Sequence, residues 1–263
     1  MKKLAIILGA FILFLTGCGS SNQTITVNGS TSVESFFKET LAPQIKADLG
    51  YDVEYQATGS SDGIKAAKDN TADFGTSSRD LKDDETDLDS IVMAYDGIAI
   101  VTHKDNPVTD ITMEQASKIF KGEITNWKEL GGNDSNIVVV SREDGSGTRS
   151  AVEELVGFEN ELVDGATIAD GNGNVASTVA ENPNAIGYVS FTTLEENTDK
   201  INGLSIDGAA PLPKNVVDTS YPVARPFLLV YQEENLTDQD IEVLEWIKTT
   251  GVTYAPDAGL IEA

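Results

Sequence analysis

Three short glycine–serine segments constrain this chain more than anything else in it: Gly29-Ser30-Thr31-Ser32, Gly59-Ser60-Ser61 and Gly145-Ser146-Gly147-Thr148. Each stands where an alternating or β-branched run gives way to helical spacing, so each marks a strand-to-helix junction. In an open α/β sheet such junctions share one edge, the edge where ligands bind. A helix start presents unpaired N–H groups and a partial positive charge, and small hydroxyl residues let an anion come close. One such turn is ordinary capping. Three of them, with Arg142 beside the third, predict a cage for a small oxyanion.

The flanking pattern is α/β. Thr24 to Val27 alternates as a strand, and Val33, Phe36, Phe37, Leu41, Ile45 and Leu49 follow helical spacing to a stop at Gly50. Thr31 and Glu34 fit a capping box, and Pro43 is a candidate kink. Tyr51 to Gln56 reads as a second strand and Asp62 to Lys68 as a short helix. Asp73 to Arg79 reads as a strand followed by a polar turn, Ile91 to Ala94 and Ile98 to Thr102 as further strands, Thr112 to Phe120 as a helix, and Glu123 to Leu130 as holding a shorter one. Ile137 to Val140 is a continuous β-branched run, the mark of a buried parallel strand, and it leads straight into Arg142. Arg149 to Val156 and Val175 to Ala180 are helical, Ala185 to Val189 is a strand, Tyr221 to Tyr231 is extended, and Ile241 to Lys248 is a late helix. Strand–helix alternation of this kind argues for an α/β fold.

The first residues have a different purpose. Lys2 and Lys3 precede an apolar run, Leu4 to Leu15, and Leu15-Thr16-Gly17-Cys18, which follows, resembles a bacterial lipobox. Residues 1–17 are therefore expected to be a lipoprotein signal peptide, Cys18 the lipidation site, and residues 18–23 a polar tether. Cys18 is the single cysteine, which excludes a disulfide framework and thiol catalysis. Without residues 1–17 the chain holds 16 basic against 43 acidic residues, a net charge of −27. That excludes nucleic acid as a partner and charge-driven adhesion to an anionic membrane. The densest acidic run, Asp83 to Asp89, lacks the calcium-loop pattern, so no metal and no cofactor is expected.

The chemistry-bearing residues centre on Arg142. Arginine stays charged and donates in a planar fork, and Asp144 is placed to hold that fork. Gly145 and Gly147 permit backbone that aims successive N–H groups inward, while Ser146 and Thr148 add hydroxyls. The segment is not a P-loop, because the Gly-Lys-Ser/Thr ending is missing. His103 is the only histidine and reads as a surface or hinge residue, Trp127 and Trp246 read as core anchors, and Arg225 reads as a structural ion pair in a crossover.

Several segments together resemble the phosphate-binding lipoproteins of bacterial phosphate ABC importers. They are Gly29-Ser30-Thr31-Ser32, Ala57 to Gly63, Ala72 to Arg79, Ile119 to Trp127, Arg142 to Arg149, Ala185 to Val189 and Tyr221 to Pro226. They run in order through nearly the whole chain after the leader. The resemblance implies a two-lobed, Venus-flytrap fold of the type with two crossover strands, with residues 24–99 and 224–263 as lobe I and 100–223 as lobe II. It implies a receptor and not an enzyme, with inorganic phosphate in the cleft, held by Thr31, Ser32, Ser60, Ser78, Arg142, Ser146, Gly147 and Thr148. It further implies permease subunits and, through them, an ATPase as partners, on the extracytoplasmic face of the membrane. Many members carry an aspartate where this chain has Ser78, so a sulfate or other tetrahedral oxyanion receptor is the alternative. A surface phosphate sensor is another. A phosphate-ester hydrolase with Ser146 as nucleophile has no His–Asp arrangement or metal-ligand cluster to support it.

Overall fold

The computed structural model describes residues 24–263. The expected signal peptide, Cys18 and the tether lie outside the described residues. The first strand, β1 (Thr24–Gly29), buries Ile25 and Val27 on its inward face. A π-helical turn, Phe36–Leu41, runs into α1 (Ala42–Asp48). The helical spacing of Phe36, Phe37, Leu41 and Ile45 thus predicts the right buried face. Pro43 lies inside this continuous helix, directly after the π-helical turn, in which the Ala42 N–H bonds the carbonyl of Phe37 five residues back. The expected Thr31–Glu34 capping box does not form: the backbone N–H of Ser32 donates to Ser30 Oγ (3.2 Å), and Thr31 faces elsewhere.

Strand β2 (Asp52–Ala57), helix α2 (Ser60–Lys68) and strand β3 (Phe74–Ser77) complete the first group, with β1 parallel to both β2 and β3. Helix α2 lies hard against the strand ends. A Cβ on Gly63 would stand 2.5 Å from Gly29 Cα and 2.6 Å from Asn28 O, so only glycine fits there. Two predicted strands then prove to be one, β4 (Asp89–His103). Tyr95, Asp96 and Gly97 stay extended between the two apolar runs because they pair with Pro226, Arg225 and Ala224 of β11 (Ala224–Tyr231).

Beyond β4 come β5 (Asp110–Ile111), α3 (Met113–Phe120), β6 (Val138–Arg142), α4 (Gly147–Val156), β7 (Thr167–Ala169), α5 (Gly171–Glu181), β8 (Ala185–Ser190) and α6 (Phe191–Glu196). Strands β9 (Ile201–Gly203) and β10 (Ser205–Ile206) and helix α7 (Pro213–Val217) lead into β11, and α8 (Asp238–Thr249) follows it. The main sheet runs β2-β1-β3-β11-β4-β8-β6-β7, with β9 also on β4. Strand β6 is parallel to β7 and β8, as its β-branched run predicts. The long antiparallel strands β4 and β11 sit in the middle and join the two parallel groups.

Two large cores follow from this topology, with a small third cluster of Ile64, Ala67, Leu88, Leu228 and Val230 under α2. One, with Phe37, Phe74, Phe227 and Trp246, draws only on residues 25–94 and 227–260. The other, with Phe120, Trp127, Phe158 and Tyr188, draws only on residues 98–223. The tryptophans anchor them as expected: Trp127 Nε1 donates to Asn184 O (3.0 Å) and Trp246 Nε1 to Asp48 (2.9 Å). His103 ends β4, where its Nδ1 accepts from the backbone N–H of Asp105. Among the described residues no helix is long and apolar enough to cross a membrane.

Candidate functional site

The first parallel group contributes a face of neutral hydroxyls. Strand β1 delivers Ser30 to Ser32, β2 delivers Ser60 at the start of α2, and β3 delivers Ser78. Ser30 Oγ donates to Ser78 Oγ (2.9 Å), the Ser78 N–H donates to Ser60 Oγ (3.1 Å), and the Ser60 and Ser78 hydroxyls are 3.3 Å apart. Beneath them Tyr55 donates to Ser30 O (2.6 Å), and burial raises its phenol well above the ordinary value, so it stays a neutral donor. Ser30, Ser32, Ser60 and Ser78 are all buried.

The second group contributes the charge. Strand β6 ends at Arg142, buried to 1 % exposure. Its fork is held by Glu143 and not by Asp144: Nε donates to Oε2 (2.7 Å) and Nη2 to Oε1 (2.6 Å). Asp144 lies beyond the end of β6, in the turn before α4, where it points into solvent and pairs with Arg149 (2.8 Å). Burial acts to raise the Glu143 carboxyl, but the Arg142 hydrogen bond and charge outweigh it and hold the group below the usual range. Arg142 then reaches out with its remaining N–H groups. Nη1 donates to Asn172 Oδ1 (3.3 Å) and Thr148 Oγ1 (3.4 Å), and Nη2 donates to Thr31 Oγ1 (3.2 Å) on the opposite face. Ser146 caps α4 by accepting from the Arg149 N–H (3.2 Å). The glycine at 147 is obligatory: a Cβ there would overlap Ser60 Oγ and stand 2.8 Å from Ser78 Oγ.

The two faces touch. Ser32 Oγ and Thr148 Oγ1 are 3.0 Å apart, Asn172 Nδ2 donates to Ser32 Oγ (2.7 Å), and the Ser61 N–H donates to Gly145 O (3.1 Å). All eight residues expected at the site, Thr31, Ser32, Ser60, Ser78, Arg142, Ser146, Gly147 and Thr148, therefore lie on or beside one seam. A cavity of about 500 Å³ opens beside it, lined by Thr31, Glu34, Asn172 and Glu196 among others. A cavity of about 550 Å³ further along is lined by Glu39, Glu195, Glu196 and Asp257 and is unsuited to an anion. No cluster of His, Cys, Asp or Glu suited to a metal occurs among the described residues.

Sequence reasoning missed three participants. Asn172 follows Asp170-Gly171 at the β7-to-α5 junction, a fourth glycine-bearing strand-to-helix turn that carries an amide in place of a hydroxyl. Arg225 is paired with Asp96 (3.0 Å), the structural pair expected, but its Nη2 also donates to Ser32 Oγ (2.9 Å). Asp96 sits in a strand of buried apolar residues, and a carboxylate there signals a buried partner. Burial pushes the Asp96 carboxyl up to about 6, against the pull of Arg225.

A family description, the PBP superfamily domain, matches residues 17–248. The chain belongs to the PBP superfamily. Within it the chain is of the PstS type. A crystal structure of a Clostridium perfringens protein, a candidate phosphate ABC transporter substrate-binding protein with bound phosphate, is 45 % identical over 92 % of this chain and all of that one, with a TM-score of 0.87. An ABC-type phosphate transport receptor from Vibrio cholerae is 32 % identical over the same shares, with a TM-score of 0.75. The phosphate-binding protein PstS of Bacillus subtilis is 29 % identical over 99 % of this chain and 95 % of its own length. The two-lobed α/β fold implied by the sequence resemblance is that of this family, whose matched members are solute-binding proteins and not enzymes.

Proposed function

We propose that this chain is an extracytoplasmic receptor that captures inorganic phosphate between its lobes and delivers it to the permease of an ABC importer, and through it to the ATPase-driven cycle. The observation that carries this reading is the convergence of Arg142 with hydroxyls from both parallel groups on one buried seam. The names of the relatives add weight to phosphate as the ligand. Arg142, Thr31, Ser32, Ser60, Ser78, Ser146 and Thr148 serve as side-chain donors, and Gly147 offers its backbone N–H at the start of α4. The segregation of the two cores supports two lobes close to 24–99 with 224–263 and 100–223, with Ile98 and Ala99 packed in the core of the second. The order of basic residues, apolar run and Cys18 supports a cleaved leader and a lipid anchor.

The energetics suffice. Micromolar binding needs about −8 kcal/mol. Charge-assisted hydrogen bonds contribute roughly 1.5–3 kcal/mol each, so several of them offset the anion's desolvation and the ordering of the lobes. An anion held from both sides also stabilises the shut form over the open one.

Ser78 favours one alternative, a less selective tetrahedral oxyanion receptor, because a hydroxyl donates to sulfate as readily as to phosphate. Calorimetric titration of the fragment 20–263 with phosphate, sulfate and arsenate near neutral pH tests both readings. One-to-one phosphate binding at about micromolar affinity or tighter is expected. Binding of none of the three up to millimolar concentration overturns the receptor reading, and equal affinity for sulfate replaces it with the less selective one.

A further inference from the structure

Arg225 is buried to 3 % exposure, and its Asp96 partner to 1 %. The two are register partners on β11 and β4, the strands that join the two parallel groups. Asp96 Oδ1 also accepts the Phe191 N–H (3.3 Å) at the start of α6, so the pair is fixed from three elements. A salt bridge in that place would explain itself as structure, except that the same Nη2 donates to Ser32 Oγ at 2.9 Å.

That contact decides the polarity of Ser32. A hydroxyl has one proton and two lone pairs. The Arg225 guanidinium cannot accept, so it takes one lone pair as a donor. Asn172 takes the other, and its orientation is itself fixed: Arg142 Nη1 stands 3.3 Å from one amide atom, which must be the oxygen, leaving the NH₂ group 2.7 Å from Ser32 Oγ. With both lone pairs engaged, the Ser32 proton can only be donated. Thr148 Oγ1, at 3.0 Å, is the atom it meets, and Thr148 accepts from Arg142 Nη1 as well, which frees its own proton. The two arginines thus stand at opposite ends of one chain of hydrogen bonds and turn the hydroxyls between them into donors.

We propose that Arg225 is a positioning residue of the anion site, which acts through Ser32 by compelling its hydroxyl to act only as a donor, to Thr148 Oγ1 in this structure and to an anion seated between the two hydroxyls. This rests on the reading of the cleft as an oxyanion site. Arg225 does not touch the anion in this scheme. It sets the direction of a proton, and it ties that direction to the crossover strands on which the lobes move.

A double-mutant cycle tests the proposal. Phosphate affinity is measured by calorimetry for the wild type, Arg225→Lys, Ser32→Ala and the double variant, with thermal unfolding alongside. Lysine keeps the charge for Asp96, but its ammonium is a point charge on a flexible stem and does not reproduce the fixed Nη2 that serves Asp96 Oδ2 and Ser32 Oγ together. Each single variant is expected to weaken phosphate binding roughly tenfold, the loss of one charge-assisted or oriented hydrogen bond. In the Ser32→Ala background, Arg225→Lys is expected to cost less than about twofold, because no hydroxyl remains to be oriented. A full tenfold loss in that background, or no loss in the Ser32 parent, overturns the role of Arg225. Should Arg225→Lys fail to fold, the paired exchange Asp96→Asn with Arg225→Gln removes both buried charges together and closes the same cycle. A wild type that binds no phosphate overturns the oxyanion reading itself, whereas wild-type binding with an additive cycle overturns only the positioning role.

Discussion

The two faces of the cleft are built from the same device and do different work. On the face from β1, α2 and β3, each contributing side chain is neutral: Ser30, Ser32, Ser60 and Ser78 are small, buried and linked by hydrogen bonds, and the half-buried Thr31 accepts from Arg142. On the face from β6, α4 and α5, the same kind of turn carries Arg142, and its N–H groups reach Thr148, Asn172 and the opposing Thr31. In the proposed receptor the neutral face supplies shape and directed dipoles, and the charged face supplies most of the attraction. The charge is nonetheless local. Glu143 stands on Arg142 and Asp96 on Arg225, so the site has as many carboxylates as guanidinium groups. That is how a chain of net charge −25 can present an anion site: directed donors replace general positive potential.

The comparison breaks first at Arg142. Arg142→Ala removes the charged donor and leaves the neutral face intact, and phosphate affinity should fall at least tenfold and on the order of a hundredfold, the equivalent of one or two charge-assisted hydrogen bonds. An unchanged calorimetric titration would remove Arg142 from the site. Gly147→Ala attacks the meeting of the faces, since the added methyl overlaps Ser60 Oγ. A loss of about tenfold in affinity for phosphate and sulfate alike is expected, because seating the methyl forces the faces apart at a cost of about 1–3 kcal/mol. Full retention would mean that the faces do not close on one another.

Ser78→Asp sharpens the comparison by adding an acceptor to the neutral face. Phosphate can donate its remaining proton to that carboxylate and sulfate cannot, so sulfate affinity should drop about tenfold relative to phosphate. Parallel changes for both anions would show that position 78 does not face the ligand.

Glu143→Gln tests the holder of the arginine through pH. The folded-state carboxyl titrates below its ordinary value of about 4.3, so its stabilisation is complete above that pH and is lost as the pH falls through the folded-state value. Urea unfolding should find the wild type more stable than Glu143→Gln at pH 7, with the two curves converging below about pH 4. A constant offset down to the acid transition would remove the charge on Glu143 from the explanation. The smallest effect concerns salt. With the site's charges paired and buried, raising sodium chloride from about 0.05 to 0.5 M should change phosphate affinity by less than about threefold. A steep loss would point to long-range attraction in place of directed donors.

Much of this site was legible in the sequence because its turns obey local rules. One glycine–hydroxyl turn at a strand-to-helix junction is ordinary capping, but three in one chain are not, and all three meet at the seam. What escaped was set by neighbours remote in the chain. Asp144 and Glu143 are adjacent and equally acidic, and only the turn into α4, which sets Asp144 against Arg149 and leaves Glu143 on Arg142, chooses between them. Asn172 is an ordinary residue at a helix start until Arg142 and Ser32 are found on either side of it. The break predicted inside β4 vanished because Asp96, a poor strand residue in isolation, has Arg225 opposite it.

A crystal structure of the chain grown with phosphate tests the central claim, that both faces act on one anion, most directly. The expected result is a tetrahedral anion within hydrogen-bonding distance of Arg142 and Thr148 on one side and of Ser32, Ser60 and Ser78 on the other. An anion bound elsewhere, or touched by one face alone, would contradict it.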